Sequence, residues 1–86
     1  MPRWPPWWNW ELVLSRHLLD RMVDRDFGEL DVRRRMLDRA FRFRPDATPG
    51  RWIIDTRHRR QPWAVIVEPE AERQLLVVIT AYPDEP

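Results

Sequence analysis

The sequence predicts an α+β fold, with two N-terminal helices packed on a three- to four-stranded antiparallel sheet. Three observations predict it. Apolar residues recur at helical spacing between Arg16 and Phe41. The hydrophobic period then falls to two near residue 50. The links between the last apolar runs, "HRRQP" and "PEAER", are short enough for hairpins.

Residues 1–9, with their prolines and scattered tryptophans, predict an extended or polyproline arm rather than a helix. Trp4, Trp7 and Trp8 give that arm a large apolar load, which must pack on the domain or dock a partner. Residues 10–14 alternate briefly, as a short edge strand entering a helix does. Ser15 is a good N-cap. Leu18, Leu19, Met22 and Val23 form the apolar stripe of a first helix over 16–27, with Gly28 as its stop. Asp31 caps a second helix whose stripe is Val32, Met36, Leu37, Ala40 and Phe41, and "RPDATPG" follows as a loop. "RWIIDTR", "WAVIVE" and "LLVVITAY" are then three strands of an antiparallel meander. In the third, Leu76, Val78 and Thr80 share one face, and apolar residues on both faces predict a central position. The chain reads as a 1–9 arm, a single domain over 10–83 and an 84–86 tail.

With 86 residues there is room for one small core. The absence of cysteine rules out disulfides and thiolate metal sites. No apolar run approaches the ~20 residues of a membrane helix. "MPRWPPWWNW" lacks the continuous apolar core of a secretory signal, so a cytoplasmic location without membrane partners is expected. All fifteen basic residues are arginine, yet the formal net charge is only +1. The charge is uneven: "RWIIDTRHRR" is basic, whereas "EPEAER" and "YPDEP" are acidic. That pattern predicts a local positive ridge on a nearly neutral body.

His17, Arg21 and Arg25 stand at i, i+4 and i+8 and form a slowly winding row on the first helix, almost opposite its apolar stripe. Such a row is accessible, and it is also what an ordinary solvated helix face looks like. The helix around His17, Arg21, Met22 and Arg25, the acidic-aliphatic opening near Asp31 and Val32, and the last strand ending in Thr80 and Tyr82 together resemble a bacterial family of unknown function. That family is grouped with RelE-like and BrnT-like toxins, within the barnase–EndoU–colicin–RelE group of small ribonucleases. The resemblance spans Leu12 to Pro83, and Leu18 stands where the family usually has alanine.

The resemblance implies a small metal-independent ribonuclease or toxin-like RNA-interacting protein, which needs a base, phosphate-binding cations and an orienting hydroxyl. Cleavage through the 2′-hydroxyl requires these groups and no cofactor or metal. Histidine suits acid–base work near neutral pH, and the planar fork of arginine suits phosphate. The catalytic candidates are therefore His17, Arg21, Thr80 and Tyr82. Arg25, Arg57, His58, Arg59 and Arg60 are candidates for binding RNA. Trp4, Trp7 and Trp8 are candidates for binding an antitoxin, another protein or a second copy of the chain. Two other readings stay open: a non-catalytic interaction module, oligomeric through the arm, and a toxin-like fold without activity.

Overall fold

The computed structural model describes residues 4–25, 32, 37–58 and 60–84, with the backbone alone at 21–25. Its elements are a 3-10 turn (Pro6–Asn9), β1 (Glu11–Leu14), α1 (Arg16–Arg25), β2 (Arg42–Pro45), β3 (Trp52–His58), β4 (Gln61–Glu70) and β5 (Leu75–Pro83). The five strands form one mixed sheet in the order β1-β5-β4-β3-β2. β2 through β5 are an antiparallel meander, and β1 joins its far edge parallel to β5.

The meander from β3 to β5 and the interior place of β5 are as the sequence predicts. The two-helix, all-antiparallel arrangement is not. α1 is the one α-helix among the described residues. Most of the expected second helix, with its Asp31 cap and the Gly28 stop before it, lies outside them. Its last turn is not α-helical: the Leu37 N–H donates five residues back to Val32 O at 3.1 Å, a π-type bond, the Ala40 N–H donates three back to Leu37 O at 3.2 Å, and the chain then enters β2. The reason is legible in "FRFRP", where Phe43 sits between two arginines with a period of two. Phe43 packs inward on Trp52, with ring centroids 5.7 Å apart, while Arg42 and Arg44 point to the other face. Pro45 is tolerated because β2 is an edge strand. The β2–β3 turn then needs a left-handed residue, which Gly50 supplies at φ 84°.

One face of the sheet carries the core. Ile54, Trp63, Val65, Val67, Leu76, Val78 and Ala81 lie on it, covered by Leu18 of α1, Trp7 of the 3-10 turn, Val32 and Leu37. In β5 the core alternation changes phase. Ile66 pairs with Thr80 and Val67 with Val78, so Ile79 is an extra residue, a bulge. Ala81 therefore takes the core place that strict alternation gives to Thr80.

Ser15 ties this bulge to the helix. Its hydroxyl accepts from the Leu18 N–H at 3.1 Å, as the expected N-cap, and donates to the bulge carbonyl of Ile79 at 2.5 Å. Its own N–H donates to Val78 O at 2.9 Å. Ser15→Ala loses the cap and strands a part-buried carbonyl together, so it is expected to cost about 2 kcal/mol in urea denaturation. Ser15→Thr keeps the hydroxyl and is expected to recover most of that loss.

Candidate functional site

The pairing of the strands sorts the predicted site residues between the two faces. On the face opposite the core, Arg42, Asp55, Ala64 and Tyr82 form one row across β2, β3, β4 and β5. Arg44, Ile53, Ile66 and Thr80 form the adjacent row. Arg57, two residues beyond Asp55 on β3, is exposed on the same face. The Ile79 bulge is what sends Thr80 and Tyr82 there together. Among the described residues, no helix covers this face.

His17 sits elsewhere. It is exposed on α1, and α1 packs through Leu18 on the core face. The side chains of Arg21 and Arg25 lie outside the described residues, as does Arg59. The expected basic loop is divided. Arg57 faces outward and Arg60 is exposed in the turn with φ 66°. His58 instead lies on the core face, buried, with its ring edge-on to Trp63 at 5.6 Å. The loop itself is shorter than expected, since His58 and Gln61 already pair.

The tryptophans pack on their own domain. Pro5 and Pro6 open the 3-10 turn in place of an extended arm, because proline's fixed φ suits its first position. Trp7 is buried, 5.9 Å from Trp52 and 6.0 Å from Phe43 between ring centroids. Trp4 stacks on Trp8 at 4.2 Å, and both stay half-buried.

Sequence reasoning missed the best-defined polar cluster. Asp55 has a side chain only 4 % exposed, and two arginines hold it. Arg42 Nε donates to Oδ2 at 2.7 Å. Arg44 Nε donates to the same oxygen at 3.0 Å, and a terminal Arg44 nitrogen donates to Oδ1 at 3.3 Å. Burial pushes the Asp55 carboxyl up, but the hydrogen bonds from Arg44 and Arg42, with their charges, outweigh it and hold it below the ordinary carboxylate range. The hydrogen bond to Asp55 correspondingly raises Arg44. The alternation of "FRFRP" was the available signal, but the partner, thirteen residues away for Arg42, is fixed only by strand register.

No family model matches this chain, and neither the curated proteins nor the solved structures give a match. The site therefore stands on its own geometry. Among the described residues, no three His, Asp or Glu side chains cluster as metal ligands. What the face opposite the core brings together is a set of binding groups: arginine forks for an anion and the hydroxyls of Thr80 and Tyr82 for its oxygens.

Proposed function

We propose that this chain is a small RNA-interacting protein of the RelE- and BrnT-like toxin kind, which contacts RNA through the face carrying Arg42, Arg44, Arg57, Thr80 and Tyr82. The observation that supports this reading is the gathering of three arginines, a tyrosine and a threonine on one face of a sheet. Arginine reads phosphate, and a half-exposed tyrosine offers a surface for an unstacked base. The net charge of +1 gives no overall electrostatic pull toward RNA, so the reading rests on the local arginines of this face.

In the endoribonuclease form of the reading, His17 would be the general base or acid and Arg21 would bind the scissile phosphate, but His17 stands on α1 at the core face while Thr80 and Tyr82 stand on the opposite face, so binding is the better supported form. The test has two arms. Fluorescence anisotropy with a labelled single-stranded RNA is expected to give a Kd of about 1–100 μM that weakens steeply as salt rises. Incubation with total RNA in EDTA tests cleavage, with growth inhibition on expression as a second readout. His17→Ala is expected to slow cleavage by ~10²–10⁴ with the fold intact, because the side chain is exposed. RNA bound but left uncut removes the enzyme and keeps the binding protein; RNA left unbound removes both.

The half-buried Trp4–Trp8 stack favours a second reading, a non-catalytic module that docks an antitoxin-like partner or a second copy. Under that reading, Trp4→Ala converts an oligomer to a monomer in light scattering without unfolding it.

A further inference from the structure

We infer that Arg42 and Arg44, aimed by Asp55, form a phosphodiester-binding site on the face of the sheet opposite the core, in which Asp55 is a positioning residue. The inference rests on the RNA-binding reading and goes beyond it by naming the groups that grip the phosphate.

A guanidinium has five N–H donors. Arg42 spends its Nε on Asp55, and neither of its terminal nitrogens is engaged with the carboxylate. Arg44 spends Nε and one terminal nitrogen, which leaves the other terminal nitrogen. Anchoring a guanidinium through Nε turns its outer edge away from the anchor. The Arg42 side chain is 61 % exposed and that of Arg44 44 % exposed, while their shared carboxylate is almost wholly covered. The acid is thus beneath the arginines, shielded from an incoming anion, and the donors are above it. The carboxylate of Asp84 also acts on Arg44, so Arg42, Arg44 and Arg57 stand against two acids and leave this face with a small positive excess.

The anchoring also removes freedom that an unconstrained arginine would lose on binding. Arg42 is held directly across from Asp55 in the β2–β3 ladder, and Arg44 is one step along the same face. A phosphate with two unesterified oxygens matches paired planar forks, which a lysine's point charge cannot reproduce. Tyr82 stands in the Asp55 row two strands away, and Thr80 in the Arg44 row three strands away, which places a base-stacking ring and a hydroxyl on the same face about 10 to 14 Å from these residues.

Asp55→Asn distinguishes aiming from simple neutralisation by the sign of its effect. The variant adds one positive charge to the face. If Asp55 only cancels charge, the variant binds labelled single-stranded RNA more tightly, and the slope of log K against log salt steepens by roughly 0.7. If it aims the forks, the variant binds more weakly despite the added charge, which is the expected result. A second variant, Arg42→Lys with Arg44→Lys, keeps both charges and leaves Asp55 neutralised. It is expected to lose about tenfold in affinity with the salt slope unchanged, because only the forked contact is gone. Circular dichroism and thermal melting on each variant confirm that folded protein is compared. Tighter binding by Asp55→Asn, or full affinity in the double lysine variant, overturns the site while leaving the RNA reading in place. Wild-type protein that binds no RNA, and whose Arg42 and Arg44 Nε resonances do not move with a mononucleotide, overturns both. Arginine Nε resonances of Arg42 and Arg44 that shift with a mononucleotide while RNA stays unbound would place the phosphate site there and remove the RNA reading alone.

Discussion

Trp7→Ala lowers stability by about 3–5 kcal/mol, the largest loss expected of any single substitution in the aromatic cluster. Among the described residues of the N-terminal segment, Trp7 is the one buried in the hydrophobic core, at 9 % exposure, with Trp8 and Trp10 packed against it. Its ring meets Trp8 at 6.1 Å, Phe43 at 6.0 Å and Trp52 at 5.9 Å, so it joins the 3-10 turn to both β2 and β3. Truncation leaves a void between elements far apart in sequence, and the short turn around it has little stability of its own. Small domains have only about 5–15 kcal/mol in total, so this variant sits close to its unfolding threshold. Trp4→Ala and Trp8→Ala remove half-buried rings and are expected to cost about 1–2 kcal/mol each. Urea denaturation followed by circular dichroism ranks the three. A Trp7→Ala loss under about 1 kcal/mol would contradict the packing described here.

What the sequence made legible follows the strength of its periodic signals. The β3–β5 meander was readable because "WIIDT", "WAVIV" and "LLVVI" are strand-like and the links between them are short. The edge strand before α1 and the Ser15 cap were readable from local chemistry. β2 was not, because its four residues were assigned to the end of a helical stripe and the start of a loop. The tertiary gain of placing Phe43 against Trp52 and Trp7 decides that segment, and no local propensity encodes it. The bulge at Ile79 was hidden for a different reason. A strand that is apolar on both faces carries no phase information, so an extra residue leaves no mark on the pattern. Thr80, Tyr82 and Arg57 are nevertheless candidates by residue type, and the register puts them on one face. Asp55 escaped notice because an acid within an apolar strand has meaning only once Arg42 is known to stand opposite.

Replacing Arg42 and Arg44 together by methionine reverses the sign of the pH dependence contributed by Asp55. In the wild-type protein the folded carboxyl lies below its ordinary value, because the two arginines outweigh the effect of burial. A depressed carboxylate contributes stability that is fully present above its unfolded value, about 3.9, and is lost as pH falls through the folded value. Wild-type stability is therefore expected to fall in the acid range below about pH 4. The double methionine variant leaves the same carboxyl under cover with burial alone acting on it, and burial raises a carboxyl's pKa. The penalty is absent below the unfolded value, grows as pH rises above about 4, and levels off past the raised folded value. At neutral pH it is expected to reach about 3–5 kcal/mol, the cost of stripping a covered charge of its partners. Adding Asp55→Asn to the double variant removes the charge and is expected to return most of that loss at pH 7 while changing little at pH 3.5. Thermal melts of the double and triple variants across that range isolate Asp55 from every other carboxylate, since all the others are common to both. If the difference between the two variants does not widen with rising pH, the arginines are not what keeps this carboxylate charged.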